Sequence, residues 1–306
     1  MLHFYRKTGE LAYMDRFLII TNENKDRDNL VTRQIAQLVE ASGRKMAITG
    51  TLNLENNKEK FRDLEAECAI VLGGDGTIIH CATHLLDMDI PIPILGINLG
   101  TVGFLAEIEK KHISEALNRL FEDDYEIENR IMLQGEFLPS KDKPPDDNKN
   151  FKGYVLNDIV ISRKGFSGVI KVQIYVNDQL VDDYRGDGVI ISTPTGSTAY
   201  NLAAGGPIIM PNADVMVVTP ICPHSLSPRS VVVSAEDTIK VVVKKSKKAQ
   251  HDEAVAVFDG QNVIDLETED KILIKKAPYS TKLIRLNQTS IYEILRSKLI
   301  NNCDEI

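Results

Sequence analysis

Three glycine-rich turns hold the residues best suited to chemistry. In the first, Val71-Leu72-Gly73-Gly74-Asp75-Gly76-Thr77, an apolar run ends in three glycines around one acid, just before a helical stretch. Glycine lets the backbone come close to a ligand and adopt positive φ angles. A helix start adds free N–H groups and a positive dipole end, both suited to phosphate. One carboxylate placed there can accept a hydroxyl proton or help to hold Mg²⁺. The pattern is neither G-x-G-x-x-G nor a Walker loop, so the usual dinucleotide and P-loop readings lose support. An Asp-Gly turn that merely leaves a sheet is the plain alternative. Three glycines in four positions speak against it, because they cost conformational entropy that such a turn does not require.

The second segment, Leu95-Gly96-Ile97-Asn98-Leu99-Gly100-Thr101-Val102-Gly103-Phe104, also follows an apolar run. Phe104 can lie against a flat ring such as adenine or simply belong to a core. The third runs from Arg185-Gly186-Asp187-Gly188 through Val189-Ile190-Ile191-Ser192 into Thr193-Pro194-Thr195-Gly196-Ser197-Thr198-Ala199-Tyr200, and on to Gly205-Gly206. A strand that feeds a hydroxyl-rich turn gathers O–H and N–H donors around one point, able to bind phosphate or sugar hydroxyls. A polar turn that only caps a helix is the alternative.

Other residues carry weaker signals. His80 and His84 are four apart on a predicted helix, but His80-Cys81-Ala82-Thr83-His84 lacks the Glu of H-E-x-x-H, so packing or surface is expected rather than zinc. His224 sits in a proline-bounded stretch and reads as structural. Asp259-Gly260 fits a tight hairpin turn. The basic cluster Lys244-Lys245-Ser246-Lys247-Lys248 reads as a solvated hairpin tip. Cys68, Cys81, Cys222 and Cys303 form no C-x-x-C pair, so neither a disulfide framework nor a thiolate zinc site is suggested.

Positioning such turns requires sheets. A chain of 306 residues, 43% of them hydrophobic, can build two ordinary domains. Phe17 to Thr21, Lys45 to Thr49, Cys68 to Leu72 and Ile94 to Asn98 read as short strands. They alternate with helical spacing at Val31, Ile35, Leu38 and Val39, in the stretch after GGDGT, and at Ile113, Ala116, Leu117, Leu120 and Phe121. That alternation predicts a parallel α/β sheet. Beyond residue 130 helical periodicity nearly vanishes, and segments 125–138, 153–163, 169–177, 187–193, 229–234, 238–245, 254–258 and 271–275 predict a β-rich, β-sandwich-like domain. The polar stretch 139–150 is expected to be a loop. Ser290 and Glu293 are spaced as a capping box before an amphipathic helix. The expected division is 1–130, 131–284, and a C-terminal segment 285–306 that packs back on the first domain, with 1–13 an extension of uncertain order.

A net charge of −8 disfavours a general nucleic-acid binder. No apolar run approaches the ~20 residues of a membrane span. The N-terminal stretch lacks the features of an export signal, so the cytoplasm is the expected address.

GGDGT with LGINLGTVGFLAE, Asn157-Asp158, DGVIISTPTGSTAYNLAAGGPI, Pro223-His224, Asp259-Gly260-Gln261 and the closing RLNQTSIYEILRSKL resemble the NAD kinase family, in order and throughout the chain. GGDGT alone is shared with diacylglycerol and sphingosine kinases and phosphofructokinases, whereas TPTGSTAY is far more specific. The resemblance implies an α/β N-terminal domain, a β-rich C-terminal domain, NAD bound between them, and a homo-oligomer, tetramer or dimer. It implies that Asp75 sits by the adenosine ribose 2′-hydroxyl, that Gly76 lets the substrate approach and that Phe104 borders the adenine. It further implies that Asn157 and Asp158 hydrogen-bond ribose or adenine, and that Thr195, Thr198, Ala199 and Tyr200 line the dinucleotide site. Asp187 with Arg185 is expected near the nicotinamide end, across a subunit interface in some assemblies. Asp259 is expected either to edge the nucleotide site or to serve only its turn. Asp158 stands where many members have Glu, and Ser230 follows Arg229 where proline is expected.

The implied reaction is transfer of the γ-phosphate of ATP, another nucleoside triphosphate or polyphosphate to the 2′-hydroxyl of NAD, with Mg²⁺ offsetting phosphate charge. Asp75 then acts as general base or as a Mg²⁺-linked carboxylate; no metal ligands are otherwise legible. Two rival readings stand beside it. A lipid or sugar kinase would leave TPTGSTAY without a role, and a non-catalytic NAD(P)-binding regulator would have no need of Asp75.

Overall fold

The computed structural model describes residues 14–100, 103–140, 151–165, 168–224, 229–245, 254–286 and 290–299. The extension 1–13, Thr101 and Val102, most of the polar stretch at 141–150, the lysine-cluster tip at 246–248, Asn287 to Thr289 and Cys303 lie outside them. The chain divides into two units, residues 1–129 with 281–306 and residues 130–280.

The first unit alternates β1 (Arg16–Thr21), α1 (Leu30–Ala41), β2 (Lys45–Gly50), α2 (Lys58–Leu64), β3 (Cys68–Gly73), α3 (Asp75–Asp87), β4 (Ile94–Asn98), the short β5 (Ile108–Glu109) and α4 (Ile113–Phe121). Strands β2, β1, β3 and β4 pair in that order, all parallel, with Phe17 opposite Cys68 and Leu72 opposite Ile97. Every residue of β3 and β4 is buried, as expected of parallel strands covered on both faces. The core gathers Phe17, Ile19, Ile70, Leu72, Leu95 and Ile97 from the strands, with Ile35 and Val39 of α1 and Ile113 and Leu117 of α4. These are the residues whose helical spacing was legible in the sequence.

β6 (Glu126–Leu138) leads into the second unit, which holds β7 (Lys152–Val155), β8 (Asp158–Arg163), β9 (Ile170–Val176), β10 (Gln179–Gly186) and β11 (Gly188–Ser192). After the short α5 (Tyr200–Ala203) come β12 (Val215–Ile221), β13 (Val231–Ser234), β14 (Ile239–Lys244), β15 (Ala254–Phe258) and β16 (Asn262–Leu266). β17 (Lys271–Arg285) runs back into the first unit, followed by α6 (Ile291–Leu299). One antiparallel sheet has the order β13-β12-β11-β8-β15-β16. Facing it in this unit, β9 pairs antiparallel with both β10 and β14, and β14 with β17. Ile159, Ile161, Val189, Ile191, Met216 and Val218 from one sheet share a core with Ile170, Val172, Ile174, Ile239 and Val241 from the other. The β-rich, sandwich-like expectation therefore describes this unit.

Several elements among the described residues escaped the sequence reading, the two-residue β5 among them. Strand β12 is a buried run with Pro220 inside it, and an internal proline hides a strand. Strand β10 is acidic and mostly exposed, and β16 is short and recognisable only as the return arm after Asp259-Gly260. Helix α2 is a seven-residue segment with only Phe61 buried. At the C-terminus the Glu293 carboxylate accepts the Ser290 N–H at 3.1 Å, half of the expected capping box. No helix among the described residues is long and apolar enough to cross a membrane.

Helix α1 has an unusual start. Its preceding residue, Asn29, is left-handed (φ 53°) and makes no side-chain cap. Asp26 supplies the cap instead, its carboxylate accepting the Val31 N–H at 3.2 Å, the Thr32 N–H at 2.9 Å and the Thr32 hydroxyl at 2.7 Å. Burial pushes the Asp26 carboxyl up, but the Thr32 hydroxyl and the amides of Thr32, Val31 and Leu30 outweigh it and hold it below its ordinary value. A depressed carboxyl contributes stability above its unfolded value of about 4, lost as pH falls through the folded value. Asp26→Ala is therefore expected to lower the unfolding free energy by ~1–3 kcal/mol at neutral pH. The difference should shrink below about pH 4 in urea titrations.

Candidate functional site

In the first unit the site is built where β3 meets α3. Asp75 is the first helical residue and half-buried, and nothing lies within 4 Å of the position a Cβ at Gly76 would take. The Asp75 carboxylate is held by three consecutive peptides: Oδ2 accepts the Phe104 N–H at 2.7 Å, and Oδ1 accepts those of Leu105 at 3.0 Å and Ala106 at 3.2 Å. This side chain adds to the β3–β4 pairing, and to the 2.8 Å bond from the Leu99 N–H to the Gly73 carbonyl, in joining the first and second glycine-rich segments. A Cβ on Gly103 would overlap the carboxylate, which is the physical reason for glycine there. Thr77 Oγ1 accepts from Asn22 Nδ2 at 3.1 Å and from the Gly74 N–H at 3.4 Å. The Lys25 ammonium reaches over the same turn, 2.8 Å from where a Cβ on Gly74 would stand.

Phe104 is half-buried, with the Lys298 ammonium of α6 4.9 Å from its ring centroid. The main-chain carbonyls of Phe104 and Leu105 accept from Arg285, each at 3.2 Å. Arg285 and Glu107 lie in quoted family runs but were given no role in the sequence, and Glu128 was not singled out. A charged residue inside the apolar run Leu283-Ile284-Arg285-Leu286 was the available signal.

In the second unit Asn157 and Asp158 meet the hydroxyl-rich turn. The Asn157 carbonyl accepts the Thr193 N–H at 2.8 Å, and Thr193 Oγ1 donates to the Leu156 carbonyl at 2.6 Å while accepting the Gly196 N–H at 3.1 Å. A side chain on Gly196 would overlap the Asn157 carbonyl. Thr195 is buried, and the buried Arg130 donates to its hydroxyl at 3.2 Å. Thr198 and Ala199 are half-buried and Tyr200 is 46% exposed, so the turn keeps an accessible aromatic face. Asn201 is fully buried, donating to the Ser197 and Pro207 carbonyls and accepting the Thr219 hydroxyl at 2.7 Å. Ser230, where proline was expected, joins this network through a 2.9 Å hydrogen bond with Thr219.

Asp259 is the organiser of that cluster. With φ 46° at Asp259 and 70° at Gly260 it forms the expected hairpin turn between β15 and β16. Its carboxylate also accepts the N–H groups of Leu156 at 2.7 Å, Asn157 at 2.9 Å and Asp158 at 3.0 Å. Burial, then the charge of Asp259, push Asp158 up to about 7. Burial also raises Asp259, to about 6, against the pull of its three N–H donors.

Arg185 and Asp187 lie elsewhere in the unit. They precede β11, whereas the Thr193–Tyr200 turn follows it, and the five residues between separate the two ends by roughly 16 Å. Asp187 pairs with Arg163 at 2.9 Å, and Arg185 is exposed. The structure does not bring these two to Asn157 or Thr195 within the unit. His80 and His84 stack at 3.9 Å. His224 is exposed, and its main-chain N–H donates to the Arg185 carbonyl.

Among the described residues no group of three or more His, Cys, Asp or Glu side chains converges. At the start of α3 the carboxylate that a divalent ion could use is that of Asp75, with its remaining lone pair. That suits Mg²⁺, which keeps waters and phosphate oxygens as most of its ligands.

The ATP-NAD kinase N-terminal domain family matches residues 14–125, and the ATP-NAD kinase C-terminal domain family matches residues 156–286. The chain belongs to the NAD kinase family. A relative named NAD kinase from Lachnoclostridium phytofermentans is 46% identical over 287 residues, covering 93% of this chain and 99% of that one. Another, from Lachnospira eligens, is 38% identical, covering 94% of this chain and all of its own length (100%). A yeast NADH kinase solved with NADH aligns with a TM-score of 0.80 at 21% identity, over 94% of this chain and 88% of the other. An NAD kinase from Archaeoglobus fulgidus solved with ATP aligns at 0.69 and 24% identity, over 94% and 97%. At these identities the two structures speak to the fold, which for an NAD kinase is the α/β unit followed by the β-rich unit seen here.

Two outcomes are expected. Gly103→Ala displaces the Asp75 carboxylate and lowers kcat on the order of 10²-fold, measured with the thermal unfolding midpoint as a folding control. Raised carboxyls in the folded protein bind protons that the unfolded chain has released, so their contribution to stability falls as pH rises from about 4 to 7. Asp158→Asn should flatten that decline in a plot of the unfolding midpoint against pH.

Proposed function

We propose that this chain phosphorylates the 2′-hydroxyl of the adenosine ribose of NAD with ATP as donor, giving NADP, and that Asp75 is the carboxylate that receives the hydroxyl proton. The observation that carries the assignment of Asp75 is its setting. It is a carboxylate at the start of α3, fixed by three N–H groups, beside open space at Gly76. Phosphoryl transfer asks the protein for positioning and charge stabilisation rather than covalent help. The 2′-oxygen forms its bond to the γ-phosphorus as the bond to the β-bridging oxygen breaks, the proton passes to Asp75 and ADP leaves. The start of α3 and the Lys25 ammonium suit the phosphates of the donor. Mg²⁺, if bound, would offset their charge; Asp75, its last lone pair taken by the proton, is not its ligand in this reading.

Phe104 is assigned to the adenine. Asn157 and Asp158 are assigned to ribose or adenine hydrogen bonds, and Thr195, Thr198, Ala199 and Tyr200 to the dinucleotide surface. The stitching of Asn157 to the Thr193–Gly196 turn supports treating these residues as one binding element. Arg185 and Asp187, distant from that element along β11, are assigned to the nicotinamide end through a neighbouring subunit of a homo-oligomer. A homo-oligomer, a cytoplasmic address and polyphosphate as an alternative donor belong to the same proposal.

Mass detection of NADP formed from NAD and ATP tests the activity. Asp75→Asn is expected to lower kcat by roughly 10²- to 10⁴-fold with the fold retained. Recovery of that loss at high Mg²⁺ would assign Asp75 to the metal instead of the proton.

A further inference from the structure

The peptides that hold Asp75 are themselves held from behind. The peptide joining Phe104 to Leu105 gives its N–H to Asp75 Oδ1 and its carbonyl oxygen to Arg285 Nη2 at 3.2 Å. The next, joining Leu105 to Ala106, gives its N–H to the same Oδ1 and its carbonyl to Arg285 Nη1 at 3.2 Å. Two peptide dipoles therefore lie between a guanidinium and a carboxylate, each with its oxygen toward the cation and its N–H toward the anion. Arg285 is fixed in turn by Glu128, whose carboxylate accepts from Nε at 2.6 Å, and by Glu107 at 3.4 Å. Glu107 also accepts the Leu286 N–H at 2.8 Å, tying it to the same strand end. The side chains of Arg285 and Glu107 are only 15% and 9% exposed, so water screens this chain of charges little.

We propose that Arg285 is a positioning residue for Asp75, acting through the two peptide groups between Phe104 and Ala106. The inference rests on the reading of Asp75 as the reacting carboxylate. Hydrogen bonds in series polarise one another, so a cation on the carbonyl side strengthens the N–H donors on the far side. The planar fork of Arg offers two nitrogens to two successive carbonyls while a third meets Glu128. Lysine has the charge without that geometry. Without Arg285, the Phe104 and Leu105 carbonyls lose its two hydrogen bonds. The peptides are then free to rotate, and Asp75 loses its fixed direction.

The test compares kcat and the KM for NAD in the wild type, Asp75→Asn, Arg285→Met, Arg285→Lys and the Asp75→Asn/Arg285→Met double variant. Thermal unfolding serves as the folding control. Arg285→Met is expected to lower kcat by about 10- to 10²-fold, a larger change than any in the KM for NAD that follows from Phe104 lying on the same segment, as loss of a transition-state interaction requires. Arg285→Lys should fall between it and the wild type. On the Asp75→Asn background the Arg285→Met effect should nearly vanish, because both changes act on one group. Wild-type kcat in either folded Arg285 variant overturns the proposal, as does an undiminished loss on the Asp75→Asn background. If the Met variant does not fold, Arg285→Lys alone and combined with Asp75→Asn gives the same decision. Normal turnover in Asp75→Asn would instead remove the reading of Asp75, a result distinct from an impaired Asp75→Asn beside an unimpaired Arg285→Met.

Discussion

Three consecutive peptide N–H groups, from Phe104 to Ala106, converge on one carboxylate, and the rest of the first unit is arranged so that they can. A backbone segment that leaves its strand and turns three donors the same way has no ladder partner for them, and unpaired amides out of reach of water cost about 1–3 kcal/mol each. Asp75 satisfies all three. In exchange its own position is fixed to within hydrogen-bond tolerance, which a half-exposed aspartate on a helix end would otherwise lack. Gly103 is the steric condition for this arrangement, and the buried strands β3 and β4 bring the two loops side by side.

The second unit uses the same device at Asp259, where the carboxylate of a hairpin turn gathers the amides of Leu156, Asn157 and Asp158. There the consequence is electrostatic as well as structural. Burial, and then the charge of Asp259 beside it, make a charge at Asp158 costly, so Asp158 holds its proton to higher pH than an ordinary aspartate. The Thr193–Gly196 turn then closes on the Asn157 backbone, and only a glycine at 196 permits the approach. In each unit an aspartate of an Asp-Gly pair shapes a neighbouring loop. One is assigned to the reaction and the other to the frame, so the residue pair alone does not tell the roles apart.

The resemblance to the family was legible because GGDGT, Asn157-Asp158 and TPTGSTAY are contiguous runs whose side chains and glycines are needed together. The alternation of strand and helix up to Phe121, and its loss afterwards, was legible from hydrophobic period, since parallel strands buried on both faces and half-buried antiparallel strands leave different patterns. Strands β10, β12 and β16 were not, because an exposed acidic edge, an internal proline and a return arm of five residues each erase that period.

By itself, then, the sequence determined the family, the order of α/β and β-rich parts and the identity of the candidate carboxylate, all of which are properties of short local runs. Only the tertiary structure decided what holds that carboxylate. The amides of 104–106, some thirty residues downstream, and the guanidinium of Arg285, 210 residues away, meet it through main-chain groups that every residue type carries. Main-chain hydrogen bonds leave no mark on composition or spacing, and this is why Arg285 reads in sequence as one more charge in a strand.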